Sequence, residues 1–358
     1  MRRQRRPRRA RAHRRPAPLL NASAPGFGVP AVPGGPLVVG LDLGGTKLLG
    51  VAIDPGHQGS EAVVEDKVAT PAGTTEVLDA LGDLAEDLRR RAREATGQDV
   101  RAVGLGAPGL VDRAGTFRYG PNLPGVVGVP LAAELGERLG LPVVVDNDAT
   151  CAAWGEHERG AARGRNHSLV ITLGTGIGGG MTVKGEPLRG AYGFAGEPGH
   201  MVVDPSGPLC PCGRRGCWER YASGTGMGWL ARSAISSGVA PADAGFVALA
   251  GGDVEAVRGE HVVAGARAGD PASLAVMETF GDWLGLGVAN LVNILDSEIV
   301  VVGGGVSEEA DLFLDHARRR LRELALGGER RPRVPLVAAR LGERAGAVGA
   351  ALLAALRT

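Results

Sequence analysis

Aromatic side chains are scarce, at 4% of the 358 residues. A core built with so few rings must be filled by Val, Leu and Ala, and 59 glycines add many tight turns, a balance that suits an α/β protein. Hydrophobic content of 44% excludes a wholly disordered chain. No apolar run approaches the roughly 18 uninterrupted residues of a membrane span; the stretch from Leu284 to Leu295 is broken by glycine and carries Asn290 and Asn293. No export signal is expected either. Arg2, Arg3, Arg5 and Arg6 could begin one, but Pro16, Pro18, Pro25 and Pro30 interrupt the stretch behind them and leave no apolar core. The expectation is a cytoplasmic protein with no membrane partner.

Cysteine is equally sparse: there are four, and three of them, Cys210, Cys212 and Cys217, fall within eight residues. In a reducing cytosol such clustering favours a metal over a disulfide. Acidic residues are absent from the first 36 positions, where nine Arg crowd the first fifteen. Removing those nine from the formal charge of +1 leaves −8 for the rest, so the folded part is mildly acidic. Residues 1–36 read as a disordered Arg/Pro-rich arm that cannot bury enough apolar surface to offset its ordering entropy. Any contact of that arm with nucleic acid would be nonspecific and salt-dependent.

The remaining length is enough for two lobes, since single cores stop growing at about 250–300 residues. Structure is expected to begin at Leu37 with a strand, the turn Asp42-Leu43-Gly44-Gly45-Thr46-Lys47, and a returning strand to Ile53. After Thr74, Val77, Leu78, Leu81, Leu84, Ala85 and Leu88 form one helical stripe. Val100 to Gly106 and Val143 to Val145 read as buried strands, the second delivering Asp146-Asn147-Asp148 to the sheet's carboxyl edge. Leu169 to Val183 repeats the hairpin around Gly174-Thr175-Gly176, which suggests a second, related lobe. Asp270 and Pro271 start a long helix, Ile299 to Val302 runs into Gly303-Gly304-Gly305, and Ser307 is placed as the cap of the next helix. The lobes are set at 37–148 and 149–358, with the last helix, from Arg344, packing back on the first.

Three constellations carry chemistry. Glycine turns between strands let backbone N–H groups converge on an anion. Three such turns, at Gly44-Gly45, Gly174-Gly176 and Gly303-Gly304, one of them beside Thr46 and Lys47, point to a nucleotide. The sequence lacks both a G-x-x-x-x-G-K-S/T loop and a dinucleotide fingerprint, so another architecture must hold it. Asp148, ending a buried strand, is placed to take a proton from a hydroxyl attacking a γ-phosphoryl group; the plainer reading is that it only caps the following helix. His200 with Cys210, Cys212 and Cys217 completes a closed Cys₃His set for structural zinc, which would fix Glu197 and Glu219 nearby. Cys151 reads as core packing.

These motifs resemble the ROK proteins (repressors, open reading frames and sugar kinases) of the actin-like ATPase and hexokinase superfamily, over about nine-tenths of the chain. Asp42 to Lys47 looks like the family's first phosphate loop, Leu173 to Gly178 like its second, and Gly303 to Gly305 like its adenosine loop. Glu197-x-Gly199-His200 and Cys210-x-Cys212-Gly213-x-x-Gly216-Cys217-x-Glu219 resemble its sugar and zinc signatures. The resemblance implies a two-lobed fold with a five-stranded sheet in each lobe. It implies Asp148 as the base and a sugar pocket lined by Gly109, Asn122, Asn147, Glu197, His200 and Glu219. Asn122-Leu123-Pro124-Gly125 and Cys217 to Gly224 look most like the glucokinases of the family, though Thr150 stands where those have Asn.

The expected reaction is ATP-dependent phosphorylation of glucose at the 6-hydroxyl. Mg²⁺, with Thr46, Lys47 and Thr175, would spread the phosphoryl charge, and Asp42 would contact the Mg²⁺ through water. Other hexoses are the near alternative: N-acetylmannosamine, N-acetylglucosamine, mannose or fructose. A sugar-responsive repressor is the distant one, since the arm is too Pro-rich for a winged helix-turn-helix. A homodimer or homotetramer is expected.

Overall fold

Leu37–Leu43 is apolar except at Gly40 and Asp42, the pattern of a strand buried on both faces, and it forms β1 at the centre of a sheet. The computed structural model describes residues 36–57, 59, 61–120 and 127–358. β1 folds back at Gly44 into the antiparallel β2 (Lys47–Ile53), which pairs with β3 (Val64–Ala69). Helix α1 (Thr74–Thr96) returns the chain so that β4 (Val100–Ala107) lies parallel to β1. A short ribbon, β5 (Leu110–Val111) with β6 (Phe117–Tyr119), and helix α2 (Leu131–Leu139) lead to β7 (Val143–Asn147), parallel to β4. Asp42 is in register with Gly106, and Gly106 with Asp146, so the carboxyl ends of three strands share one edge.

Helix α3 (Asp148–Arg159) starts with no intervening loop and leads into a second hairpin, β8 (Ser168–Leu173) and β9 (Ile177–Val183), with β10 (Glu186–Pro187) beside it. Five helices follow: α4 (Glu219–Ala222), α5 (Gly224–Ser236), α6 (Gly245–Leu249), α7 (Gly259–Arg267) and α8 (Pro271–Leu295). Strand β11 (Ile299–Gly303), helix α9 (Ala310–Leu324), strand β12 (Leu336–Ala338) and helix α10 (Ala345–Arg357) complete the chain. The strand orders are β3-β2-β1-β4-β7 and β10-β9-β8-β11-β12, the same plan of a hairpin followed by two parallel strands.

Helix α8 begins as the sequence indicates: Asp270 accepts a hydrogen bond from Ser273 N at 2.8 Å, and Val276, Phe280, Leu284 and Val288 are buried. Ser307 departs from expectation. Gly305–Glu309 forms a 3₁₀ turn in which Ser307 Oγ donates to Gly304 O at 2.7 Å, so α9 starts only at Ala310 and Ser307 does not cap it. A hydroxyl that bonds back to a carbonyl three residues earlier tightens the turn rather than opening an α-helix.

Helices α3 and α10 lie between the sheets: α3 rests on β8 and β9, and α10 covers β1, β4 and β7. Helix α10 is almost entirely Ala, Gly, Val and Leu and is buried nearly all round, as a helix apolar on every face should be. Its closeness to its neighbours depends on glycine. A Cβ at Gly104 would fall 1.9 Å from Ala350 O, and one at Gly349 only 1.7 Å from Cys151 O. The carboxylate of Glu156, fully buried in α3, accepts from Leu341 N at 2.7 Å and from Arg340 N at 3.0 Å. It thus ties α3 to the segment that enters α10. Among the described residues no helix is long and apolar enough to cross a membrane.

Candidate active site

Because β7 passes straight into α3, the side chains at the junction are held by both. Asn147, not Asp148, caps the helix: its Oδ1 accepts from Thr150 N at 3.0 Å, while its Nδ2 donates to Gly109 O at 3.1 Å. That removes the plain reading of Asp148 as a cap. Asp148 Oδ1 accepts from Ala149 N at 2.8 Å. Burial pushes its proton affinity above the ordinary carboxylate range, against the pull of hydrogen bonds from the Ala149 backbone and the Asn147 side chain. Asp146, 5% exposed, faces elsewhere and pairs with Arg189.

Asp42 lies close enough to Asp148 to feel its charge, and burial together with that charge pushes Asp42 up to about 8. A Cβ at Gly346 would fall 2.5 Å from Asp42 Oδ2, so this carboxylate sits against the first turn of α10. Next to it the β1–β2 turn closes with Gly44 N on Lys47 O at 2.9 Å and is braced by Thr70, whose Oγ1 donates to Gly44 O at 2.7 Å. Gly45, Thr46 and Lys47 are exposed there. The second and third turns meet each other. Gly304, at φ +80°, packs on the backbone of Leu173, and Gly224 N, at the start of α5, donates to Gly174 O at 2.8 Å. Thr225 Oγ1 donates to Thr175 O at 2.8 Å, and Gly303 ends β11 beside them.

Two more carboxylates lie near Asp148. Burial, then the charges of Asp148 and Glu219, pushes Glu197 up to about 7. Glu219, at the start of α4, accepts from Cys210 Sγ at 3.0 Å through Oε1, and its Oε2 lies over Gly176, where a Cβ would be 2.5 Å away. Asp42, Asp148, Glu197 and Glu219 therefore form a row, each within electrostatic reach of the next, running from the first hairpin to the cysteine loop. Carboxylates so arranged need hydroxyl donors or cations between them.

The cysteine loop brings its four predicted ligands together. One ligand atom from each of His200, Cys210, Cys212 and Cys217 lies within 4.8 Å of all the others. Cys212 Sγ and Cys217 Sγ are 3.5 Å apart, and Cys210 Sγ is 3.9 Å from His200 Nδ1. A tetrahedral zinc with ordinary bond lengths requires about 3.8 Å and about 3.6 Å for such pairs. The donor set fits zinc, and His200 would bind through Nδ1, leaving Nε2 free.

Of the sequence-predicted site residues, Asn122 lies outside the described residues, as does the Arg-rich arm before Pro36. Sequence reasoning missed Arg189, Thr70 and Thr225. Arg189 offered one signal, a lone cation entering the Gly190 to Gly196 segment just ahead of Glu197; the two threonines offered none, since each acts through a distant turn.

Two matched sheets, each a hairpin followed by two parallel strands with a glycine turn at the hairpin, match solved sugar kinases of the actin-like ATPase and hexokinase fold. A family model described as "ROK family" matches residues 38–357, and the chain belongs to the ROK family. It is 38% identical over 319 residues to the glucokinase of Streptomyces coelicolor, a match covering 89% of this chain and 97% of that protein. The crystal structure of a ROK family glucokinase from Streptomyces griseus in complex with glucose and AMPPNP superposes with a TM-score of 0.76. It shares 41% identity and covers 89% of this chain and 99% of that one. N-acetyl-D-glucosamine kinase of Escherichia coli is 32% identical over 325 residues, covering 88% of this chain and 98% of that protein.

The raised Asp42 has a consequence for stability. Its folded value near 8 exceeds the ordinary 3.8, so folding takes up a proton between those pH values. The stabilisation is complete below pH 3.8 and is lost as pH rises through 8. The thermal midpoint of the ligand-free wild type should fall more between pH 5 and 8 than that of Asp42→Asn; parallel slopes would contradict the assignment. For the metal, elemental analysis should find one zinc per chain, lost in Cys212→Ser together with protease resistance between His200 and Glu219. A Cys212→Ser protein with full zinc and an intact loop would show that the cluster is not its site.

Proposed function

We propose that this chain transfers the γ-phosphoryl group of ATP to the 6-hydroxyl of glucose. The carboxylate row centred on Asp148 carries the reading, and the resemblance to glucokinases supports it. Residues 37–148 and 149–358 act as two lobes that close on the substrates and exclude competing water. The carboxylate of Asp148 takes the proton of the 6-hydroxyl as the hydroxyl oxygen attacks the γ-phosphorus and the bond to the β-phosphate oxygen breaks, releasing ADP. Burial raises the proton affinity of Asp148, which favours its taking up a proton, and the hydrogen bonds from the Ala149 backbone and the Asn147 side chain act against it.

Glu197, Glu219 and Nε2 of His200 hold the remaining hydroxyls, with Asn147, positioned by the Gly109 carbonyl, as a further wall of the pocket. Asn122 is assigned to the same pocket. Backbone N–H groups around Gly44, Gly45, Gly174, Thr175 and Gly176, with Thr46 and Lys47, receive the phosphates, and Gly303 and Gly304 border the adenosine. Mg²⁺ would supply charge neutralisation for the phosphates, with Asp42 as the residue facing it. Zinc, closed off by four protein ligands, would supply rigidity to the loop that holds His200 and Glu219. N-acetylglucosamine is the second reading, favoured by the relative that phosphorylates it.

Asp148→Asn keeps the shape of the side chain and removes its basicity. Turnover should fall by about 10²- to 10⁴-fold while calorimetry still finds glucose bound. Near-normal turnover in that variant would remove Asp148 from the chemistry.

A further inference from the structure

The segment from Arg189 to Gly196 runs from β10 to Glu197 and is closed on itself by a hydrogen bond from Ala195 N to Arg189 O at 3.2 Å. Although it leaves the second sheet, it is also held by β7 of the first sheet and by the β5–β6 ribbon. Arg189 Nε donates to Asp146 Oδ2 at the end of β7, and the other oxygen of Asp146 accepts from Asn147 N at 3.0 Å. Arg113, in the turn between β5 and β6, donates from Nε to Gly190 O at 3.2 Å. Gly193 lies flat on the same ribbon: a Cβ there would come within 2.6 Å of Val111 O. Its φ of +101° is one that L side chains rarely adopt.

The two arginines form a reciprocal clasp, Arg113 reaching out to the segment and Arg189 reaching back to β7. One end of the clasp, Asp146, is two residues from Asp148; the other, Arg189, accepts through its carbonyl from Ala195 N, two residues before Glu197. We infer that Arg189, through its pair with Asp146, is a positioning residue that sets Glu197 against Asp148 and so fixes the sugar between them. Neither Arg189 nor Asp146 touches the reacting atoms in this arrangement. The pair acts by holding two elements that carry sugar ligands at a fixed separation, and misplacing such ligands by about 1 Å is enough to weaken binding strongly. The inference rests on the sugar-kinase reading.

The test is steady-state kinetics and calorimetric sugar affinity on Arg189→Gln, Asp146→Asn, the double variant and Arg189→Lys, with thermal midpoints measured alongside. The sugar is whichever hexose the wild type phosphorylates best. If it phosphorylates none, the kinase reading fails, and the inference is judged on the calorimetric affinity for glucose. Arg189→Gln and Asp146→Asn should each raise the sugar KM about tenfold or more, with kcat and the KM for ATP within about threefold. The double variant should be no worse than either single one, because both remove one contact. Arg189→Lys, which keeps the charge without the Nε geometry, should fall between. A sugar KM and affinity within about twofold of wild type, with only the thermal midpoint lowered, would overturn the inference, as would equal losses for sugar and ATP. Should Arg189→Gln fail to fold, Arg113→Gln, which removes only the exposed hold on Gly190, must raise the sugar KM by itself; an unchanged value also overturns the inference.

Discussion

The contact between α3 and α10 is the constraint on which the rest depends. Asp148 is the first residue of α3, and α3 can reach the edge of the first sheet only because α10 lies against it without side chains in the way. Gly349 on the Cys151 carbonyl, Gly104 beneath Ala350 and Gly155 beside Ala345 make that approach possible. The Glu156 carboxylate, bonded to Arg340 N and Leu341 N, fixes the start of α10 along α3. A methyl group added at Gly349 would have to push one helix away, moving Asp148 relative to Asp42 and to the glycine turns at once.

On that frame sits a site with more negative charge than it can carry alone. Asp42 and Glu197 respond by holding protons near neutrality, the outcome expected when like charges share a partly desolvated space. A polyhydroxylated substrate and a nucleotide–metal complex are the kinds of ligand that relieve such a site, the first by donating hydrogen bonds and the second by bringing positive charge. The walls are fixed by two different devices. The cysteine loop brings His200 and Glu219 together within a short stretch of chain, whereas Arg113 and Arg189 tie the segment before Glu197 to the β5–β6 ribbon and to β7.

Legibility in the sequence follows the range of the interactions. The cysteine loop could be read directly because its ligands lie within eighteen residues and their spacing is itself the geometry. Both hairpins were legible because apolar runs flank glycine turns, and α8 starts where Asp270 and Pro271 place it. Local reasoning offered Asp148 as the cap of α3 and placed Asn147 among the sugar ligands, whereas Asn147 is the cap. The choice of Asn147 is visible only once Gly109 arrives to take its amide. The closeness of Asp42 to Asp148, the clasp on Asp146 and the hold of Glu156 on Arg340 and Leu341 join distant segments, and nothing in periodicity or composition marks them. Ser307 shows the converse, a good capping residue that the chain uses inside a 3₁₀ turn.

The central claim is that the carboxylate row selects a hexose for phosphoryl transfer from ATP. The most direct measurement is a coupled ADP-release assay of the wild-type protein across glucose, mannose, fructose, N-acetylglucosamine and N-acetylmannosamine, with the position of the phosphate read by NMR. The account predicts the highest kcat/KM with glucose and a product phosphorylated at the 6-hydroxyl. Hexose-independent ADP release, or transfer to another hydroxyl, would contradict it.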